Sequence, residues 1–159
     1  MKNDIKKMIE AFKKRTEGEK LPLFTLTEFF ENNTEEESIA PNQWGYGRPT
    51  LAELWKHLCK IEKRYDVAWI RVTLHDDTNV DDYSDDVTIC EVLGTDLIYE
   101  IHGESIVICT SAPLEEMEQV VDCEWLGSGS GIGSFFEADR YTEIPEIPNG
   151  YRALTLFWD

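Results

Sequence analysis

Six aspartates, Asp76, Asp77, Asp81, Asp82, Asp85 and Asp86, fall within residues 75–86. Carboxylates at that density repel one another, and either a hard cation or a basic partner relieves the repulsion. Tested as an EF-hand, the stretch fits in part: Asp77, Asn79 and Asp81 occupy the first, third and fifth positions. It fails at the sixth, where Asp82 stands in place of the turn glycine, and at the twelfth, where Thr88 replaces the bidentate glutamate. A looser calcium or magnesium site built from these carboxylates remains open. His75, beside Asp76 at the end of an apolar run, is the best isolated candidate for general acid–base chemistry. Together they define one alternative, a small metal-dependent enzyme or divalent-cation-binding domain using His75 and the 76–86 loop.

The remaining reactive chemistry finds no pattern. Gly127, Gly129, Gly131 and Gly133 alternate through residues 126–134, but no lysine follows as in a Walker loop. The dinucleotide spacing also fails, ending on Ile132 or Ser134 instead of glycine. Composition therefore predicts a mobile loop or lid there. No Gly-x-Ser-x-Gly elbow and no zinc-ligand spacing occur. Cys59, Cys90, Cys109 and Cys123 are widely separated and read as reduced core or near-core thiols. No catalytic residue, cofactor or metal ligand is assigned on this basis.

Charge points toward a binding role. The 159-residue chain carries 15 Lys and Arg against 32 Asp and Glu, a net charge of −17. Residues 1–20 are basic and the rest is strongly acidic. Such a field keeps the protein soluble, repels nucleic acid and anionic membrane, and speeds encounter with a basic protein. The absence of a signal-peptide core or membrane-length apolar run predicts a cytoplasmic protein.

These residues must be carried by local structure. Residues 1–20 read as an amphipathic helix docked on the body, with Ile5, Met8, Ile9 and Phe12 as its stripe and Gly18 as its stop. A short helix capped by Thr25 or Thr27 follows, anchored by Phe29 and Phe30. Glu35, Glu36 and Glu37 lie in an acidic loop, and residues 39–49, with Trp44 and Tyr46, form an ordered surface loop. Thr50-x-x-Glu53 is a capping box opening a helix whose face is Leu51, Leu54, Trp55, Leu58 and Ile61, with His57 exposed. Residues 67–74 read as a strand. Residues 87–93 are open between strand and helix. Residues 97–101 and 105–109 read as strands joined by a tight turn at His102-Gly103-Glu104, the second covered on both faces. A helix begins near Pro113, buries Leu114, Met117, Val120 and Val121, and an aromatic strand, 151–158, ends the chain. The sum is a single α+β domain over residues 1–159, mainly an antiparallel or mixed sheet packed with about three to four helices.

The stretch Leu26-Thr27-Glu28-Phe29-Phe30-Glu31-Asn32-Asn33, then Ser38-Ile39-Ala40-Pro41-Asn42, resembles the opening of an uncharacterised group of small acidic bacterial proteins. Asp82-Tyr83-Ser84-Asp85-Asp86-Val87 and the closing Leu156-Phe157-Trp158-Asp159 are similar to later landmarks of that group. In size and acidity the chain also resembles the immunity proteins that neutralise bacterial toxins. That second resemblance implies a non-enzymatic protein whose acidic surface binds a basic partner such as a nuclease toxin. The surface expected for it comprises the six aspartates of the loop, Glu35, Glu36 and Glu37, with Trp44 and Tyr46 as aromatic anchors. Nucleic acid and membrane are not expected partners.

Overall fold

The computed structural model describes residues 14–31, 33–75, 102–127 and 129–158. Several expectations lie outside these residues: most of the N-terminal helix, the aspartate loop, the 87–93 and 97–101 segments, and Cys90.

The elements are β1 (Leu21–Pro22), α1 (Leu26–Phe30), α2 (Leu51–Glu62), β2 (Val67–Leu74), β3 (Gly103–Thr110), α3 (Leu114–Val121), α4 (Cys123–Leu126), β4 (Ser130–Gly133), β5 (Tyr141–Thr142) and β6 (Arg152–Trp158). The α+β class is as the sequence indicates. Four strands form one antiparallel sheet in the order β2-β3-β6-β4, and β1 and β5 make a separate short parallel pair.

Strand β3 is the centre. Its alternate residues Ile106 and Ile108 join Ile70, Val72, Leu74, Leu154 and Leu156 on one face. There Leu54, Leu58 and Ile61 of α2, Phe29 of α1, and Met117 and Val121 of α3 bury them. Val107 and Cys109 point the other way and pack with Trp69 against Phe136, Ile144, Tyr151 and Ala153. The continuous apolar run of β3 thus reports a strand covered twice, by helices on one side and by the chain following β4 on the other.

Local signals set the helices. Thr25 accepts the Glu28 amide at 3.1 Å while Glu28 accepts the Thr25 amide at 2.8 Å, capping α1. Thr50 and Glu53 do the same for α2, at 3.1 and 3.2 Å. Each box satisfies donors that the first helical turn leaves orphaned. Glu62, the last residue of α2, reaches forward to accept the Ile70 amide at 3.1 Å. Phe24 exchanges both backbone bonds with Val72, at 2.7 and 3.0 Å. Glu62 and Phe24 together occupy outward-facing backbone groups of β2, which would otherwise offer a bare pairing edge.

Three local expectations change. His102-Gly103-Glu104 is not a hairpin turn. Gly103 is the first residue of β3, opposite Leu74, and both edges of β3 are taken by β2 and β6. Glycine is required there for space: a Cβ would stand 2.9 Å from Phe29 Cζ and 3.1 Å from Ile39 Cδ1. His57 is half-buried instead of exposed. Its Nε2–H donates to the Val121 carbonyl at 2.9 Å, and its ring lies 4.7 Å from that of Trp125. The glycine-rich stretch is not a free loop, because Ser130–Gly133 forms edge strand β4 on β6.

At the N-terminal side, Arg15 ties the chain to the body. Its guanidinium reaches Glu143 at 2.7 Å, Glu28, and the Leu23 carbonyl at 2.7 Å, and it lies over the Phe24 ring. At the junction of α2 and β2, Arg64 donates two bonds to buried Asp66, at 2.9 and 3.0 Å. The Asp66 carbonyl accepts from Thr110 Oγ1 and the Ser111 amide, joining the start of β2 to the end of β3.

Replacing Gly103 with alanine is expected to cost about 1–3 kcal/mol by overpacking Phe29 and Ile39, read as a lowered urea midpoint. The Arg64 hydrogen bonds hold the Asp66 carboxyl below its ordinary value of 3.8. Its folded value is therefore the lower one, so its contribution is complete above the unfolded value and disappears as pH falls through the folded value. Asp66→Asn should cost about 1–3 kcal/mol near neutrality. The difference from wild type should close on acidification below the ordinary carboxylate range, as denaturation at a series of pH values would show.

Candidate functional site

Two regions gather candidate functional side chains. The first is the strap between α1 and α2, which holds the part of the predicted acidic surface that is described. A 3-10 turn at Glu36–Ser38 and another at Pro41–Gln43 fold it, with Ala40 left-handed at φ 48° and Gly45 and Gly47 at φ 89° and 112°.

Its keystone is Arg48, whose side chain is 0% exposed. One nitrogen, Nη2, donates to the Glu36 carbonyl at 2.6 Å and to Glu36 Oε1 at 3.0 Å. The guanidinium carbon lies 4.8 Å from the centre of the Trp44 ring, a cation–π contact. Nε and Nη1 are buried with no hydrogen-bond partner. Burial pulls the Arg48 guanidinium below its ordinary value, and the hydrogen bond and charge of Glu36 oppose that shift. Glu36 Oε1 also accepts the Leu51 amide at 2.9 Å, so one carboxylate neutralises a buried cation and caps α2.

The expected partner-binding residues are therefore divided. Glu36 and Trp44 are half-buried and engaged with Arg48. Glu37 is exposed, and Tyr46, at 79%, projects into solvent from the same strap. Glu35 is half-buried, its amide donating to Asn33 Oδ1. Asp76, Asp77, Asp81, Asp82, Asp85 and Asp86 lie outside the described residues. His75 is exposed, and its amide donates to the His102 carbonyl at 2.7 Å. The end of β2 and the start of β3 thus lie side by side.

The second region was not anticipated from sequence. On the face of the sheet away from the helices is a cavity of about 340 Å³. Its floor is Ser105 of β3 with Thr155 and Phe157 of β6; Ser105 pairs with Phe157 across the strands. Phe135, Arg140, Tyr141 and Glu104 complete its lining. The volume is within the range of small-molecule sites. Two of the alternating glycines make it fit: a Cβ on Gly131 would stand 2.8 Å from Phe157 Cζ, and one on Gly133 2.5 Å from Phe135 Cε2. Phe135 and Phe157 meet edge to face at 5.5 Å, and Tyr141 stacks on Phe136. The legible signal was the period-two spacing of the glycines, which in a strand marks close approach by another group.

Among the described residues, no three His, Cys, Asp or Glu side chains gather so as to hold a metal ion. No described helix is long and apolar enough to cross a membrane. Cys59, Cys109 and Cys123 are free thiols, and burial pushes those of Cys59 and Cys109 up, away from the reactive thiolate.

Fold and site together define an α+β domain with helices on one sheet face, an aromatic cavity on the other, and an acidic strap beside the helical layer. The chain belongs to the uncharacterized protein YfbO family, whose model matches residues 1–156. No curated protein and no solved structure matches it. The resemblance to an uncharacterised group holds at the level of this family.

Glu36→Ala is expected to cost about 3 kcal/mol or more, because it strands a buried guanidinium. Glu37→Ala, one residue away and exposed, should change stability by no more than about 0.5 kcal/mol. Paired urea denaturation curves separate the two.

Proposed function

We propose that the protein is a non-enzymatic binding protein that captures a basic protein partner, of the kind by which immunity proteins neutralise a toxin such as a nuclease. The observation that carries this reading is the strap held by Arg48. It presents exposed Glu37 and Tyr46 from a loop whose base is pinned by the Glu36–Arg48–Trp44 contacts. A loop held in one shape before binding loses less entropy when the partner arrives. Tyrosine supplies contact area at low rotamer cost, and a net charge of −17 steers a cationic partner toward it. The carboxylates of Asp76 to Asp86 would extend the same field.

The test is capture on immobilised protein from a lysate of the organism that encodes it, at low and high salt, comparing wild type with the Tyr46→Ala, Glu37→Lys double variant. Both positions are exposed, so the variant should fold. A basic protein retained at low salt, released at high salt, and held at least about tenfold less by the variant supports the reading. Recovery of no basic protein, or equal recovery on the variant, refutes it.

A further inference from the structure

The cavity on the second sheet face is independent of the strap, and the groups left to meet a ligand specify its class. Leu154 and Leu156 of β6 lie in the helical face, so Thr155 between them points to the other face, into the cavity floor. Thr155 is 9% exposed, and its Oγ1 is buried without a hydrogen-bond partner among the described residues. Ser105, also in the floor, is already satisfied, its Oγ standing 2.6 Å from Thr73 Oγ1. A buried hydroxyl with no partner is a lasting cost to the fold unless a ligand relieves it.

The walls are incomplete on the apolar side as well. Phe135 lines the cavity yet leaves 65% of its surface to water. It meets Phe157 edge to face at 5.5 Å, and a third ring can join such a pair edge to face or offset. Gly131 and Gly133 allow this arrangement, since a Cβ on the first would collide with Phe157 and one on the second with Phe135.

Charge sets the remaining limit. Arg140 and Tyr141 already hold interactions within the protein, so the polar group of a ligand falls to Thr155. An anion would meet Glu104 in the lining and a net charge of −17 around it. A cation would meet the Arg140 guanidinium. An uncharged ring meets neither penalty. A volume of about 340 Å³ is at the small end for ligand sites and suits one ring or two fused rings. A hydroxyl on that ring both donates and accepts, so it can pair with Thr155 whichever way the threonine O–H is turned.

We propose that this cavity binds a small uncharged aromatic molecule of the phenol class, its ring against Phe135 and Phe157 and its hydroxyl hydrogen-bonded to Thr155 Oγ1. The site is separate from the surface that would capture a protein partner.

The test is titration of the full chain with p-cresol, read by amide shifts in two-dimensional NMR and by calorimetry. Toluene, which matches p-cresol in shape without the hydroxyl, and the charged benzoate and benzylamine serve as controls. Saturable p-cresol binding is expected, with shifts at the Ser105, Thr155 and Phe157 amides. Toluene should bind about fivefold more weakly, and the two charged molecules at least about tenfold more weakly. Thr155→Val removes the unpaired hydroxyl at nearly constant shape. Its melting temperature should equal or exceed that of wild type, while the advantage of p-cresol over toluene disappears. A threonine with a merely structural role would not move that ratio. Phe135→Ala, at an exposed position, should keep its fold in thermal melts and weaken p-cresol and toluene together by about tenfold. No saturable p-cresol binding up to about 5 mM overturns the proposal. So does any control binding as tightly as p-cresol, an advantage over toluene that survives in Thr155→Val, or binding that Phe135→Ala leaves unchanged.

Discussion

The structure depends on one requirement, that β3 be buried on both faces while both its edges are hydrogen-bonded. Ile106, Val107, Ile108 and Cys109 are all fully buried, and a large apolar side chain removed from water contributes roughly 1.5–3 kcal/mol. Meeting that requirement takes a helical layer on one side and the chain after β4 on the other. It also takes β2 and β6 as neighbours, which in turn become the strands to be sealed. Glu62 and Phe24 seal β2, and the short β4 covers β6. Gly103 belongs to the same requirement, because a side chain there would hold Phe29 and Ile39 away from the strand.

Polar burial is solved differently in each place. Asp66 has a bidentate arginine and sits where helix, strand and the end of β3 meet, so it serves as a joint. Arg48 is more exacting. Its charge is balanced by one carboxylate and one aromatic face, with two nitrogens left unpaired. A buried ion pair is weak evidence for stability but can hold a loop in one register. Here it links the strap to the first turn of α2, since Glu36 serves both. The expected surface of the strap thus separates into residues that build the loop and residues the loop displays.

Helices α1, α2 and α3 were readable because their signals are local. The capping box and stripe of α2, the apolar face of α3 and the alternation of β6 depend on residues a few positions apart. The run of β3 announced double burial for the same reason. The second face was hidden. Glycines at 127–133 have the composition of a mobile loop, and only the backbone of β6 beside them turns that stretch into a strand. His57 looked exposed because nothing near it in sequence predicts the Val121 carbonyl from another helix. The acidic loop containing Glu36 gave no hint that Arg48 would be buried against it.

The sequence by itself determined the class, the cap of α2, the helical stripes, the central apolar strand and the acidic field. Each follows from side-chain period, from a donor and acceptor three residues apart, or from a sum of charges. Tertiary structure alone decided which carboxylates stay at the surface, where the thiols and His57 lie, and that a cavity exists. Its lining comes from the start of β3, the 135–141 segment and the end of β6, brought together by strand order. Strand order is a property of long-range pairing and burial, which no local window of residues contains.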